Sequence, residues 1–491
     1  MRGWREFLPV GLVFATLACY SWVFGGIDGP KLFPAIVWVW LFTLEALVFF
    51  PQREEREAEL AARDRTWKRL SRDPMTYSVF VFLVLLAFPF FNGVQPTGEP
   101  PVPCAPFCAD VVHHRGVFLW FLPTLTAALA ARHALVGRGK RLLVEMIAWN
   151  GAALALFGFL QQWTDAQGPW WIPLKAGTRF FSTFGYPNMA GSFFMLLFAV
   201  SCGLWQGRVA DSFAVGRRED ARALAAARRV PHWIRAHYML VPALLNLFAA
   251  LDTLSRAAIM LSAAIGAFWF LYAFLSAFTR HAGASRIRTV VCELAALGAL
   301  AFGVCTFAPP ELRQELSKTS EFEVADRLSG RGSYQPRVAW ELFKDHPLFG
   351  VGGWGYAHFC TSKMAPGERV YARYAGSANV HNDYLQFLCE HGAVGALLLL
   401  VVVCQLLGPV LDGWRGAARR ARFSRRASRL PRPRAVYAIP APTLGVLLGC
   451  AAVAVHAFGD CPLRSPAVLC TALVLLACAG GYFRGDEEEE D

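Results

Sequence analysis

Apolar residues in this chain are not spread as short alternating runs. They gather into stretches of about 18 to 22, the length that crosses ~30 Å of hydrocarbon at 1.5 Å per residue. Twelve such stretches predict helical spans near 7–27, 32–51, 75–94, 116–136, 142–162, 184–205, 238–254, 257–278, 289–308, 393–411, 438–458 and 466–483. The pattern predicts an all-α, polytopic membrane protein with about 12 transmembrane helices. It divides the chain into N-terminal spans (1–174), central spans (175–308), a long polar loop (309–392) and C-terminal spans with an acidic tail (393–491).

Composition agrees with this pattern. Of 491 residues, 55% are apolar and only 17% charged, with 39 Phe and 16 Trp. A soluble fold would have to bury every one of the twelve stretches as a core helix.

The net charge of +12 would suggest nucleic acid in a soluble protein. Its placement points elsewhere. Seven basic residues lie between spans two and three (Arg53, Arg56, Arg63, Arg65, Lys68, Arg69, Arg72), and nine lie between Arg415 and Arg434. Arg138, Lys140 and Arg141, the arginines from Arg208 to Arg235, and Arg280, Arg286 and Arg288 fill the other loops on that side. If the spans alternate, all these loops face the cytoplasm by the positive-inside rule. Both ends of the chain, including "GDEEEED", are then cytoplasmic; membrane lipids are the expected contact of the basic segments and no nucleic-acid partner is expected. The first apolar run, after "MRGWRE", has no small-residue cleavage site and is read as an anchor. Most of the 13 cysteines fall inside spans as packing residues. Cys104 and Cys108, in "QPTGEPPVPCAPFCAD", either pair as a disulfide in an oxidising compartment or remain thiols.

The loop at 309–392 is too long for a connection and is not low-complexity, which marks it as the place for function. "QPRVAWELFKDHP" predicts an amphipathic helix with Val338, Leu342 and Phe343 on one face and Pro336 and Pro347 as boundaries. Gly350, Gly352 and Gly355 formally spell a dinucleotide fingerprint, but no βαβ unit surrounds them, so they read as a tight turn. In "NVHNDYLQFLCEHGAVG", Asp383 and Gln386 have capping-box spacing, predicting a helix that starts there and ends at Gly392. His381 and Asn382 then precede a helix N-terminus, which attracts anions and favours a neutral, proton-accepting imidazole. The alternative is that Asn382 and Asp383 only cap the helix while His381 makes a structural hydrogen bond.

On the same side of the predicted membrane lie Arg256, between spans seven and eight, Arg179, just before span six, and Arg337, at the start of the loop helix. Asn188 follows Pro187 where span six begins, in a capping position. An ionisable group at a membrane edge is costly and marks a functional site. Planar guanidinium groups pair phosphate oxygens bidentately, so three of them suit a diphosphate. His113, His114, His346 and His358 have no familiar metal-ligand spacing, and no metal or other cofactor is expected.

"TRFFSTFGYPNMAGSFF", "TLSRAAIML", "RVAWELFKDHPLFGVGGWGYAHF", "HNDYLQFLCEHGAVGALLLL" and "HAFGDCPLRSPAVL" resemble, in this order, the motifs of the O-antigen ligase and polymerase superfamily of bacterial inner-membrane proteins. The resemblance covers residues 175–483. It implies a C-type architecture with a large periplasmic loop, and metal-independent, inverting transfer of a glycan from undecaprenyl diphosphate to an acceptor at the periplasmic face. The acceptor is lipid A-core for a ligase and another lipid-linked glycan for a polymerase. His381 takes the family's catalytic position, Arg179 and Arg256 its diphosphate-binding positions, Arg337 the loop-helix arginine, and Asp460 an acidic position of unspecified role. A protein O-oligosaccharyltransferase and a polysaccharide transporter are the other readings. Transport is disfavoured because the chain shows no internal repeat and its unusual cations gather at one face.

Overall fold

The computed structural model describes residues 3–23, 29–48, 51–52, 59–94, 100, 102, 104–174, 179–215, 232–280, 334–369, 379–427 and 439–483. The ninth expected span, the acidic tail and, within the long loop, residues 309–333 and 370–378 lie outside these residues. Among the described residues the protein is mostly helical and has no strand, only two isolated bridges. The helices are α1 (Gly3–Trp22), α2 (Gly29–Val48), α3 (Glu59–Leu70), α4 (Pro74–Ala87), α5 (Val111–His133), α6 (Gly137–Trp163), α7 (Pro187–Val215), α8 (His232–His237), α9 (Leu240–Asp252), α10 (Arg256–Arg280), α11 (Tyr334–Asp345), α12 (Gly355–Phe359), α13 (Asp383–Ala427), α14 (Ala441–His456) and α15 (Pro466–Ala479). A helix lies over every predicted span that falls on described residues. Among the described residues, five helices are long and apolar enough to cross a membrane, or six if α3 and α4, bent by 66° at their junction, form one span.

Two features of the polar segments depart from the sequence pattern. The basic stretch after α2 forms a helix, α3, rather than a plain loop. The tenth span does not stop near 411: α13 continues to Ala427 through a segment rich in Ala and Arg, both strong helix formers. Cys104 and Cys108 are free thiols; Cys108 is buried, and burial raises its pKa to about 11.

The chain divides into two compact units. The first comprises Met1–Leu143, Ser320–Pro409 and Val453–Gly481. In it α5 packs against α1, α2, α4 and α15. A small separate core gathers Phe107, Tyr334, Val338, Leu342, Val351 and Tyr356; of the face read from the loop-helix sequence, Val338 and Leu342 are buried in it, while Phe343 is half-buried and lies outside it. The second unit comprises Val144–Thr319, Val410–Ala452 and Tyr482–Asp491, and α7 is its centre, packed against α8, α9 and α10.

The break at Gly392 shapes the functional region of the first unit. Gly392 has φ 65° and ψ −175°, which divides α13 into a short helix before it and a long one after it. Such a break frees carbonyls on one side and amides on the other, and each buried group needs a partner. The Gly-rich turn supplies them. Val351 and Gly352 amides donate to the carbonyls of Cys389 (3.0 Å) and Glu390 (2.9 Å), while Ala393 and Val394 donate to Pro347 (2.8 Å) and Leu348 (3.1 Å). Gly352, at φ 82°, is required here: a side chain would strain the backbone and collide with the Phe107 carbonyl. The three glycines thus build a helix-breaking clasp and not a nucleotide loop.

Candidate functional site

The start of α13 is bound to the turn that joins α14 to α15. The Asp383 amide donates to the Ala457 carbonyl (2.9 Å), the Asn382 side chain to the Phe458 carbonyl (3.1 Å), and the Leu463 amide to Asp383 Oδ2 (2.7 Å). Tyr384 stacks on Phe458 with ring centroids 4.5 Å apart. The helix begins at Asp383 as expected, but its cap is one residue earlier. Asn382 Oδ1 accepts from the Leu385 amide (3.0 Å), and Gln386 reaches back to the Val380 amide (2.9 Å) rather than closing a box with Asp383. The capping reading of this stretch thus applies to Asn382, while Asp383 ties the helix to the 457–465 turn.

His381 sits between these anchors with φ 56°, a left-handed conformation that costs a non-glycine residue about 1–2 kcal/mol. Strain of this kind persists where neighbouring contacts over-determine the backbone, and it is an indication of function. Its Nδ1 lies 3.2 Å from Asp460 Oδ1; the imidazole is 50% exposed and the carboxylate 9%. Burial alone would raise the Asp460 pKa. The His381 hydrogen bond and charge, together with the Cys461 amide, outweigh burial and hold it at about 2. An ionised carboxylate only accepts, so His381 Nδ1 carries the hydrogen and Nε2 is the basic nitrogen. Asp460, whose role the sequence left unspecified, orients this ring.

Cys461 completes a group of three potential metal donors: His381, Asp460 and Cys461 place theirs within 4.8 Å of one another. Hydrogen bonds already account for this arrangement. Asp460 Oδ1 also accepts from the Cys461 amide (2.7 Å) and thiol (3.3 Å), and burial pushes that thiol's pKa up, keeping it protonated.

A buried ion pair behind the dyad escaped the sequence reading. Arg464 Nη1 donates to Glu390 Oε2 (3.0 Å), with side-chain exposures of 11% and 2%. The guanidinium lies over Trp354, 4.5 Å from its ring centroid. Arg464 stands within the "GDCPLRSP" motif, the one sequence signal it offered. Arg337, the fourth residue of α11 rather than its first, pairs with Glu341 (2.8 Å) and Glu368 (2.6 Å).

Arg179, Asn188 and Arg256 belong to the second unit. Arg179 is exposed beside a tight turn whose Phe181 and Phe184 are buried and whose Ser182 donates to the Leu154 carbonyl (2.8 Å). Pro187 opens α7, placing Asn188 in its first turn, where its amide donates to the Tyr186 hydroxyl (3.1 Å). Arg256 is half-buried and opens α10 two residues after Leu254, which has φ 56°. Gly191 lets α7 approach this turn closely; a Cβ there would meet Ala258 at 2.7 Å and Ser255 at 2.9 Å.

These features define a helical, multi-pass membrane protein with an oriented His–carboxylate pair at the head of a broken helix. Residues 241–400 match the family model described as O-antigen ligase. The match, over about a third of the chain, is a likeness to the O-antigen ligase and polymerase superfamily. It takes in Arg256, Arg337 and His381 and stops short of Asp460 and Arg464. No curated protein matches the chain.

Proposed function

We propose that the protein transfers a glycan from undecaprenyl diphosphate to an acceptor hydroxyl of lipid A-core at the periplasmic face of the bacterial inner membrane. Twelve spans with cytoplasmic ends would set the segment 309–392 and the 457–465 turn on that face. The observation that carries the reading is the His381–Asp460 pair, 3.2 Å apart, with the basic nitrogen turned away from the carboxylate.

In this mechanism Nε2 of His381 removes the proton of the acceptor hydroxyl as its oxygen attacks the anomeric carbon. The bond from that carbon to the diphosphate breaks on the opposite side, and the anomeric configuration inverts. Negative charge developing on the leaving diphosphate is met by the guanidinium groups of Arg179 and Arg256, a preorganised stabilisation that assigns no step to a metal ion. Arg337, paired with Glu341 and Glu368, would exchange one of them for a phosphate on joining these two. Asn188 is assigned to the support of Arg179 and Arg256, and Asn382 and Asp383 to that of His381.

Asp460→Asn lowers the transfer rate by on the order of 10²-fold, approaching the loss of the base itself. The sign of the accompanying pH effect follows from charge. The carboxylate on Nδ1 stabilises the imidazolium, so removing it moves the acid limb of the rate profile to lower pH. Asp460 itself, at about 2, stays ionised throughout the working range and contributes no limb near pH 4. Rate profiles of wild type and variant measure both effects.

A polymerase would perform the same chemistry on a different acceptor. Deleting the gene and separating free lipid-linked polymer from polymer attached to lipid A tests the choice. The ligase reading expects full-length polymer to accumulate on the lipid carrier and vanish from lipid A. Accumulation of single repeats instead would contradict it.

A further inference from the structure

The first turn of α5 and the short helix α12 hold a cluster of polar side chains with no part in the transfer mechanism. Asp110, His113 and His358 offer one carboxylate oxygen and two imidazole nitrogens, all within 4.8 Å of one another. The four histidines that showed no motif spacing in the sequence separate by role in the fold. His114 is buried: its Nε2 donates to the Leu86 carbonyl (2.7 Å) and its Nδ1 accepts from the Gly353 amide (3.1 Å). His346 packs edge-on against Phe107, ring centroids 5.1 Å apart. His113 and His358 are exposed and approach each other, ring centroids 5.6 Å apart.

The three donors sit on packed segments. Asp110 caps α5: its Oδ1 accepts from the amides of Val112 (2.6 Å) and His113 (3.3 Å), which fixes the carboxylate and leaves Oδ2 2.9 Å from His113 Nδ1. That separation suits neighbouring ligands on one ion with bonds of about 2.0–2.2 Å. His358 rides on α12, anchored by buried Tyr356 and Cys360 and by the Gly353 amide on His114.

We propose that Asp110, His113 and His358 form a binding site for a divalent transition-metal ion of the Zn²⁺ type. Two imidazoles and a carboxylate select such ions over Mg²⁺ and Ca²⁺, which take oxygen ligands, and three protein ligands leave a position for water. The ion staples the start of α5 to the Gly-rich turn. Trp354 in that turn stands between the cluster and the buried ion pair, 6.2 Å from the His113 ring and 4.5 Å from Arg464, so the staple also steadies the surface on which Arg464 packs. The site uses none of the residues assigned to glycan transfer and stands apart from that reading.

The test is metal titration of the full-length protein, purified in detergent without a histidine tag and stripped with EDTA. Zn²⁺ is followed by calorimetry and Co²⁺ by visible absorption. The wild type is expected to bind one equivalent that His381→Ala retains and that His113→Ala and His358→Ala each weaken by at least about tenfold, the scale of losing support at a metal site. A wild type that binds no equivalent, or binding as tight as wild type in either single variant, overturns the site. Should a variant fail to fold, X-ray absorption of the Co²⁺-loaded wild type decides: fewer than two imidazole ligands overturns it equally.

Discussion

Replacing His381 with alanine lowers glycan transfer by about 10²- to 10⁴-fold, the contribution of a positioned general base. The loss falls on kcat, with KM little changed, because proton removal is needed only in the transition state. The backbone supplies a control for folding. His381 holds φ at 56°, a conformation glycine adopts without the about 1–2 kcal/mol cost borne by other residues. His381→Gly is therefore expected to be as inactive as the alanine variant yet to unfold at or near the wild-type temperature, and added imidazole restores part of its activity because the site is half-exposed. Thermal unfolding in detergent and transfer assays with and without imidazole measure these three outcomes. Unchanged turnover in either variant removes His381 from the base role.

Arg464→Ala destabilises the protein by about 3–5 kcal/mol, the cost of stripping one partner from a buried ion pair. Glu390 is 2% exposed and would keep its charge without a counterion or change its protonation state, while the faces of Trp354 and Trp120 lose the guanidinium packed beside them. The double variant Arg464→Met with Glu390→Gln recovers part of the loss, since removing both charges leaves none uncompensated. Arg464→Lys does not recover it, because an ammonium group cannot present the same planar face to Trp354 and pair with Glu390 at once. Unfolding midpoints of the three variants in one detergent decide the matter; a double variant less stable than Arg464→Ala contradicts the account.

The helices were legible because apolar runs of spanning length have few alternatives in a chain with so few charges. The break at Gly392 and the start of α13 were legible for a local reason: caps and helix-ending glycines act within a few residues of their own position. The buried face of α11 was legible through the spacing of Val338 and Leu342. What the sequence could not convey is pairing at a distance. Arg464, Glu390 and Trp354 meet from three segments, as do Asp110, His113 and His358, and no periodicity links such positions. Asp460 was singled out by motif resemblance alone, and its action on His381 emerged only once the 457–465 turn was seen bound to the head of α13. The apolar run that marks the tenth span ends near 411, whereas α13 continues to Ala427, because charge ends only the apolar part of a helix.

Reconstitution tests the central claim most directly. Purified protein in liposomes would be given an undecaprenyl diphosphate-linked glycan and an acceptor on the same face, and mass spectrometry would follow the acceptor and the lipid carrier together. The account predicts a glycosylated acceptor and one released undecaprenyl diphosphate for each transfer, with the His381→Gly protein producing neither. Movement of the intact lipid-linked glycan across the bilayer with no transfer to the acceptor would contradict it.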